Sequence, residues 1–369
     1  MPVTYFPYSE HYKVDRASYQ RAIEGVLESG GFILQKALTD FEVAFSDYLE
    51  VPSVVGVNNC TDALEIALEL LSLPAGGEVL VPSHTFVATA EAIHWAGLKP
   101  ILVDCGEDHL IDLEHAESLI TSRTVALVPV HLNGRAVHPA AIKRLAERHD
   151  LRVVEDAAQS VGARVDGLTA GTVGDFGAYS FYPAKLLGAF GDGGALVSRH
   201  GDMLPRMRAF RDHGRDETGE IRTWGRNSRM DTVQAAVLSV QLEKYERTVD
   251  RRRDIASLYD QELRDLPQLR LPAPPGEEPN RFDVFQNYEI EAHDRDELRD
   301  ALADQKIGTL LPWGGKALHQ LGLPGLSGDC PRTTEVFSRI LMLPMNPYMS
   351  DADVLEVAAA VRSFYEGPA

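Results

Sequence analysis

Lys185 has the surroundings in this sequence that most favour covalent chemistry. It follows an apolar run and a proline turn, precedes the glycine-rich stretch 188–194, and has no acidic residue within six positions on either side. Burial in apolar surroundings lowers the pKa of a lysine amine, and a neutral amine can form a Schiff base with a carbonyl group. Lys185 is therefore a candidate catalytic lysine. Taken alone, it would more simply be a surface lysine in a loop.

Asp156 is the second candidate, because it follows an apolar run that predicts a short strand. Ligands of a parallel sheet bind beyond the carboxyl ends of its strands, so Asp156 is expected to face a ligand. Taken alone, it would be a helix cap or a turn residue. A Schiff-base lysine and an aspartate for a pyridinium nitrogen are the pair that pyridoxal 5′-phosphate (PLP) requires. Together, Lys185 and Asp156 favour a PLP site.

Both candidates belong to a regular alternation of apolar and helical segments. Strands are predicted at 79–82, 100–104, 124–132, 151–155 and 177–182, and helices at 86–96, 112–120 and 138–149. This alternation is typical of a parallel sheet with helices on both faces. The fold class is therefore α/β, with a large domain built on a mostly parallel, doubly wound sheet. Residues 193–198 predict one more strand.

A polar turn near Thr61 and Asp62 predicts an anion site. The apolar run 54–57 precedes this turn, and the helical stretch 63–73 follows it. The first N–H groups of a helix have no partners within the helix, and its dipole favours negative charge there. A simple helix cap by Thr61 or Asp62 is the alternative.

The C-terminal third predicts a smaller α/β unit. It contains one long helix or two at 232–263, a proline-rich loop at 266–280, a strand at 285–291 and helices at 296–306 and 351–365. We therefore expect a large domain over 1–245 and a small domain over 246–369. The large domain would begin with an extended arm, 1–13, and helices at 14–29 and 38–49.

Composition disfavours several classes of protein. The 369 residues carry a formal net charge of −19, and 44% hydrophobic with 25% charged residues is typical of a soluble globular protein. This charge argues against nucleic acid as a partner, since binding relies on Lys and Arg that neutralise phosphates, and against an anionic membrane surface. The three cysteines share no metal-ligand spacing and are interpreted as free thiols in a reducing compartment. We expect no metal site.

The sequence also predicts a cytoplasmic location. Its N-terminus lacks the basic and apolar regions of a secretory signal. No apolar run approaches the roughly 18 residues of a membrane helix.

Six ordered motifs resemble those of the DegT/DnrJ/EryC1/StrS sugar aminotransferases, which are PLP-dependent enzymes of fold type I. The motifs are 59–64, 81–89, 155–159, 180–185, 191–194 and 225–231. The C-terminal third resembles the family more loosely. Cys60 replaces the glycine that is usual in the first motif, so the conformation of that turn does not follow from the resemblance.

The resemblance implies a role for each of eight residues. Lys185 would bind PLP and then act as general base and acid, and Asp156 would keep the ring nitrogen protonated. Six more residues would contact the cofactor: Thr61, Asp62 and Ser180 at its phosphate, Phe86 on its ring, Gln159 at its 3-oxygen, and Asn227 of the partner chain at its phosphate. Phe86 taken alone would more simply be a core residue.

The resemblance also implies a homodimer with shared active sites. The polar loop 212–225 would cross the interface, and Asn227 would reach the cofactor of the neighbouring subunit. Arg229 would either bind an anionic group of the substrate or form an ion pair at the interface.

The activity implied by the resemblance is transfer of an amino group from L-glutamate to a nucleotide-linked 4-keto- or 3-keto-6-deoxy sugar. Family frequency favours a dTDP-linked 4-keto sugar, and the product would serve glycoconjugate or natural-product biosynthesis. The alternatives are an aminotransferase that acts on a cyclitol or other cyclic ketone, and a non-catalytic PLP-binding regulator. A dinucleotide-dependent oxidoreductase is disfavoured because the first strand–helix turn, 57–61, lacks the G-x-G-x-x-G pattern.

Overall fold

The computed structural model describes residues 2–367. This part of the chain forms the strands β1 (Ser53–Val57), β2 (Glu78–Pro82), β3 (Lys99–Val103), β4 (Thr124–Leu127), β5 (Arg152–Asp156), β6 (Arg164–Val165), β7 (Leu168–Thr169), β8 (Phe176–Ser180), β9 (Gly194–Ser198), β10 (Leu269–Arg270), β11 (Arg281–Phe282), β12 (Tyr288–Ala292) and β13 (Ile340–Leu343).

Its α-helices are α1 (Tyr8–Lys13), α2 (Arg16–Ser29), α3 (Lys36–Leu49), α4 (Cys60–Leu70), α5 (Val87–Trp95), α6 (Leu113–Ser118), α7 (Pro139–His149), α8 (Leu204–Arg211), α9 (Thr232–Leu242), α10 (Tyr245–Leu263), α11 (Arg295–Asp304), α12 (Pro331–Arg339) and α13 (Asp351–Glu366). None of these helices is both long and apolar enough to cross a membrane.

A seven-stranded sheet forms the centre of the protein, in the order β1-β9-β8-β5-β4-β2-β3. The pairs from β8 to β3 are parallel, whereas β9 is antiparallel to both of its neighbours, β1 and β8. The sequence-based prediction of an α/β fold with a mostly parallel sheet is therefore confirmed.

The large sheet is buried on both faces. One face packs on α4 and α5, where Leu64, Ile66 and Ile93 are buried against strand residues. The other face packs on α3 and α9 through Phe41 and Leu238. Burial on both faces explains why the strands appear in the sequence as continuous apolar runs.

A second, three-stranded sheet, β10-β12-β13, carries its own core with α10, α11 and α13. Helix α10 contributes to both cores: Tyr245 packs in the core of the large sheet, and Ile255 and Tyr259 pack in that of the small sheet. The division of the chain at residue 245 remains a prediction, although a second core lies beyond this point.

Several elements were not predicted from periodicity, and two parts of the chain illustrate why. The first 13 residues are not a simple extended arm, because Tyr8–Lys13 is helical and buries His11. The His11 ring contacts the rings of Tyr19 and Phe190, and these distant partners stabilise a helix that is too short to be stable alone. Helix α12 and strand β13 were also not predicted, because they follow each other directly at residues 339 and 340.

Candidate active site

Asp156 ends β5 at the carboxyl edge of the large sheet and is buried. Its Oδ2 accepts a hydrogen bond from Thr89 Oγ1 at 2.8 Å, and its Oδ1 accepts one from the Ala158 N–H at 3.0 Å. Burial raises the pKa of this carboxyl above its ordinary value, and the two hydrogen bonds oppose that rise. A cationic group opposite Asp156 would offset the cost of burying its charge.

The neighbouring Glu155 faces a different set of partners, as the alternation of side chains along a strand requires. It accepts hydrogen bonds from His131 Nε2 at 2.8 Å and from the N–H groups of Val173 and Gly174 at 2.6 and 2.7 Å. These donors hold the pKa of Glu155 below its ordinary value although burial opposes them. Glu155 is thus a structural carboxylate, whereas the Asp156 carboxylate, with one hydrogen bond to each oxygen, can still accept a further partner.

Lys185 lies in a loop fixed by the amide of Gln286. Gln286 accepts from the Leu186 N–H at 2.8 Å and donates to the Ala184 carbonyl at 2.9 Å, so it holds the backbone on both sides of the lysine. The amine itself makes no hydrogen bond to any residue from 2 to 367. Burial of the side chain lowers the pKa of Lys185, while Asp156 and Cys60 act to raise it.

Lys185, Asp156 and Cys60 form one electrostatic cluster. Asp156 and Lys185 each act on the pKa of the other, and both act on the pKa of the Cys60 thiol, which burial raises. Their segments are far apart in the sequence, and Cys60 is the first residue of α4. The structure therefore brings the N-terminus of α4, the end of β5 and the loop after β8 together.

The N-terminus of α4 is capped so that two N–H groups stay available. Asn59 Oδ1 accepts from the Asp62 N–H at 2.8 Å, whereas the N–H groups of Cys60 and Thr61 have no acceptor within the described chain. Asp62 directs its carboxylate to Ser228, whose Oγ donates to it at 2.6 Å. Thr61, rather than Asp62, thus offers a free backbone donor for an anion.

Gly194 allows the start of β9 to pass directly under this helix end. A Cβ at position 194 would lie 2.4 Å from the Asn59 carbonyl carbon and 2.7 Å from the Cys60 nitrogen. Ser180 pairs with Gly194 across β8 and β9, so Ser180 also lies near the N-terminus of α4. Among the described residues, the Ser180 hydroxyl accepts a single long hydrogen bond, 3.3 Å, from the Tyr182 N–H.

Phe86 and Gln159 flank the cluster. Phe86 is the residue before α5, 51% exposed, and Thr89 on the same helix binds Asp156. Gln159 Oε1 accepts from the Asn133 N–H at 2.7 Å and from Asn287 Nδ2 at 3.5 Å. Because the oxygen is occupied, the amide nitrogen is the end of Gln159 that remains to donate.

Asn227 is exposed in the single chain and precedes Ser228, which donates to Asp62. The Asn227 backbone pairs with Asp212, and the loop between them carries Trp224, which is 92% exposed. Arg229 donates to Asp212 Oδ1 at 3.0 Å, so its guanidinium is engaged within its own chain.

Thr89, Gln286 and Ser228 support the site but were not identified from the sequence. Thr89 carries a weak signal, because it follows Phe86 by three residues and helical neighbours at that spacing share a face. Gln286 carries none, and Ser228 lies in the motif 225–231 without an assigned role, since each acts through a contact more than 90 residues distant.

Comparison with known proteins identifies relatives over nearly the full chain. The model of the DegT/DnrJ/EryC1/StrS aminotransferase family matches residues 14–362. A protein of Streptomyces venezuelae named dTDP-3-amino-3,4,6-trideoxy-alpha-D-glucose transaminase is 38% identical over 359 residues, which are 96% of this chain and 94% of the relative. A protein of the same name from Micromonospora megalomicea subsp. nigra is 37% identical over 98% of each chain.

A solved structure has the same architecture. The crystal structure of S. venezuelae DesV superposes with a TM-score of 0.94 at 38% identity and covers 99% of both chains. These similarities confirm the family that the six motifs indicated. The chain belongs to the DegT/DnrJ/EryC1/StrS aminotransferase family and is an aminotransferase.

Proposed function

We propose that this aminotransferase uses PLP to move an amino group from L-glutamate to the C3 ketone of a dTDP-linked deoxy sugar. The observation that carries the proposal is the electrostatic cluster of Lys185, Asp156 and the N-terminus of α4. An amine, a carboxylate and a set of free N–H donors are the groups needed at the aldehyde, ring nitrogen and phosphate of PLP.

The described residues fit the cofactor. The free N–H groups of Cys60 and Thr61, with the hydroxyl of Ser180, would hold its phosphate. Within residues 2–367, the Lys185 amine has no hydrogen-bond partner, and the buried Asp156 carboxylate forms no ion pair. Phe86 is half exposed and precedes α5, the helix whose Thr89 binds Asp156, and it would pack on the ring of the cofactor. The amide nitrogen of Gln159 would donate to the 3-oxygen.

Asp62 has a supporting role in this proposal. Its N–H is bound to Asn59, and its carboxylate accepts from Ser228. It would therefore fix the helix end that binds the phosphate rather than donate to the phosphate directly.

The residues of the chain divide the proton chemistry between them. When bound, PLP supplies an electron sink for the carbanion formed at the amino acid Cα. Lys185 would take the proton from the donor Cα and deliver it to the C4′ carbon of the cofactor, because its lowered pKa leaves a neutral amine available nearer to working pH. Asp156, as a carboxylate, favours a protonated ring nitrogen, and Thr89 supports that ionised form.

The choice of carbon and nucleotide rests on the relatives. The names of both reported relatives place the amino group on C3 of a dTDP sugar, and we therefore favour a 3-keto over a 4-keto substrate. A nucleotide diphosphate would be bound against a net charge of −19, which requires local donors such as helix N-termini and arginines.

Asn227 is proposed to act across a homodimer. It is exposed in the single chain, next to a loop that presents the nearly fully exposed Trp224 and the exposed Ile221. Burial of this loop against a second copy would bring Asn227 to the phosphate of the partner's cofactor. The active site would then be complete only in the dimer.

The test is the visible spectrum of the PLP-loaded protein during addition of L-glutamate, followed by a panel of ketones. We expect the absorption of the bound cofactor to fade with glutamate and to return with a dTDP-3-keto-6-deoxy sugar. Return of the absorption with a 4-keto sugar alone would show that the amino group is transferred to C4 rather than C3. Return with a cyclic polyol ketone alone would support the cyclitol alternative. A band that glutamate leaves unchanged would contradict the proposed amino donor.

Lys185→Ala separates catalysis from simple binding of the cofactor. Turnover should fall by at least about a thousandfold, since general acid–base catalysis alone contributes about 10²–10⁴-fold. Lys143→Ala on α7 is the matched control and should retain full activity. Equal turnover in Lys185→Ala and the wild type would exclude the proposed mechanism.

A further inference from the structure

We propose that His84, His109 and Glu289 form a binding site for a zinc ion outside the cofactor site. The two histidines lie in the loops that follow β2 and β3 of the large sheet, and Glu289 lies on β12 of the small sheet. The three ligands come from distant segments, so no metal-binding spacing is visible in the sequence. A zinc ion here would join the two sheets.

The first observation is that His84 is buried without partners. Its side chain is 1% exposed, and neither ring nitrogen makes a hydrogen bond to any residue in the described part of the chain. Glu289 is buried as well, and its Oε2 also lacks a partner there. Buried polar atoms without partners are uncommon and costly, and a bound cation would satisfy one ring nitrogen of His84 together with Glu289 Oε2.

The second observation is the geometry of the three side chains. One ligand atom from each residue can be chosen so that all three lie within 4.8 Å of one another. His84 Nε2 is 3.6 Å from Glu289 Oε2, and His109 Nδ1 is 2.8 Å from Glu289 Oε1. Tetrahedral zinc with bonds of about 2.0–2.2 Å requires ligand atoms about 3.4 Å apart, so small side-chain movements would complete the site.

Glu291 prepares His109 to act as a ligand. Its Oε1 lies 3.0 Å from His109 Nε2, on the side of the ring away from Glu289. A carboxylate that accepts from one ring nitrogen orients the imidazole and leaves the other nitrogen free to bind metal, an arrangement common to zinc-bound histidines. The lone pair of Nδ1 would then face the Glu289 carboxylate, and the two would repel each other. A cation bound between them would remove this repulsion.

The donor set selects the type of metal. Two imidazole nitrogens and one carboxylate suit zinc and related transition metals, whereas magnesium and calcium prefer oxygen ligands. A cavity of about 520 Å³ is lined by His109, Glu289 and Asn287, among others. It provides a route for the ion and space for water as the fourth ligand.

The site would also fix the segment that precedes Phe86. His84 is two residues before Phe86, and its ring packs against the rings of Trp313 and Phe337, with centroids 5.5 and 4.9 Å away. A bond from His84 through zinc to Glu289 would tie this segment to the small sheet. The ion therefore has a structural role in the proposal, and no catalytic step depends on it.

The alternative occupant is a proton. His109 carrying a proton on each nitrogen could bind Glu289 and Glu291 without any metal.

Measurement of bound zinc distinguishes the metal site from a protonated His109. We would incubate the PLP-loaded enzyme with Zn²⁺, remove free ion by gel filtration, and determine metal per chain for the wild type, His84→Gln and Glu289→Gln. His138→Gln, which changes a half-exposed histidine paired with Asp166, is the matched control.

The expected result is about one zinc per chain in the wild type and in His138→Gln, with affinity at least about tenfold weaker in the two ligand variants. Co²⁺ in place of zinc should give visible absorption bands in the wild type that His84→Gln lacks. Zinc should raise the unfolding temperature of the wild type but not that of His84→Gln. No stoichiometric zinc in the folded wild type, or equal zinc in His84→Gln, would overturn the proposal.

Discussion

Thr89 donates a hydrogen bond to Asp156 across 2.8 Å and thereby joins the first turn of α5 to the end of β5. Burial pushes the pKa of Asp156 upward, and the Thr89 hydroxyl pulls it downward. The proposed function needs Asp156 as an anion beside a protonated ring nitrogen. Thr89 is therefore a positioning residue whose effect should be visible in the pH dependence of the reaction.

Thr89→Val should raise the pKa of Asp156, because the variant keeps the shape of the side chain and removes the donor. The acidic limb of the pH profile of kcat/KM should move to higher pH, so kcat/KM should fall most on the acidic side of the profile. Steady-state kinetics over a pH series measures this shift.

Thr248→Val on α10 controls for a general effect of losing a threonine hydroxyl, and its profile should match that of the wild type. If Thr89→Val lowered kcat/KM equally at every pH, the hydroxyl would position the site without tuning Asp156.

Gly194→Ala should weaken the binding of PLP and lower the stability of the protein. The new Cβ would lie 2.4 Å from the backbone of Asn59 and would push the N-terminus of α4 away from β9. Overpacking of this kind costs about 1–3 kcal/mol. Equilibrium dialysis with PLP and urea unfolding measure the two effects.

Gly25→Ala is the matched control, because a Cβ there meets no atom within 4 Å and the residue lies inside α2. It should stabilise the protein by about 0.5–1 kcal/mol, as expected for alanine in a helix. Unchanged PLP affinity in Gly194→Ala would argue against the phosphate site at α4.

The sequence was sufficient to predict the main sheet. The strands of the large sheet are buried on both faces and therefore appear as apolar runs. Asp156 ends one of these strands, and Lys185 lies in the loop after another. Contacts between distant segments could not be predicted. Gln286, which holds the loop of Lys185 from 100 residues away, has an ordinary sequence context.

The cluster of His84, His109 and Glu289 illustrates the same limit. His84 lies inside a recognised motif, yet its partners are fixed only by the packing of the small sheet on the large one. The capping of α4 is similar, because the sequence does not reveal that the N–H of Asp62 is bound to Asn59.

Glu155→Gln should destabilise the protein in a pH-dependent manner. Glu155 has a pKa below its ordinary value of 4.5, so it stabilises the fold above that pH and loses this contribution as the pH falls through the lowered pKa. At neutral pH the variant should be less stable by about 2–3 kcal/mol, the size expected for hydrogen bonds to a buried charged group.

Urea unfolding at pH 7 and at a series of acidic values measures this difference. The gap between the wild type and Glu155→Gln should shrink below pH 4.5, because a protonated glutamate resembles glutamine. Glu147→Gln, at an exposed position on α7, should show no gap. A gap that stayed constant into acid would mean that shape, rather than charge, is what Glu155 contributes.

Subunit complementation tests whether Asn227 acts in the partner's active site. Asn227→Asp would place a negative charge beside the phosphate, and Lys185→Ala would remove the catalytic amine, so each variant alone should be nearly inactive. If Asn227 serves the neighbouring subunit, a mixed dimer contains one site with both defects and one site with neither. An equal mixture of exchanging subunits should then recover about a quarter of wild-type activity, because about half of the dimers are mixed and each has one intact site.

The opposite arrangement gives a different result. If Asn227 served the active site of its own chain, every site in the mixed dimer would carry one defect, and the mixture would stay as inactive as its components. A mixture of Lys185→Ala with Asp156→Asn is the control for that case, since the proposal assigns both residues to the same chain's site. That pair should recover about a quarter of the activity only if the two residues of one site came from different chains, so its expected failure contrasts directly with the recovery expected for Asn227→Asp.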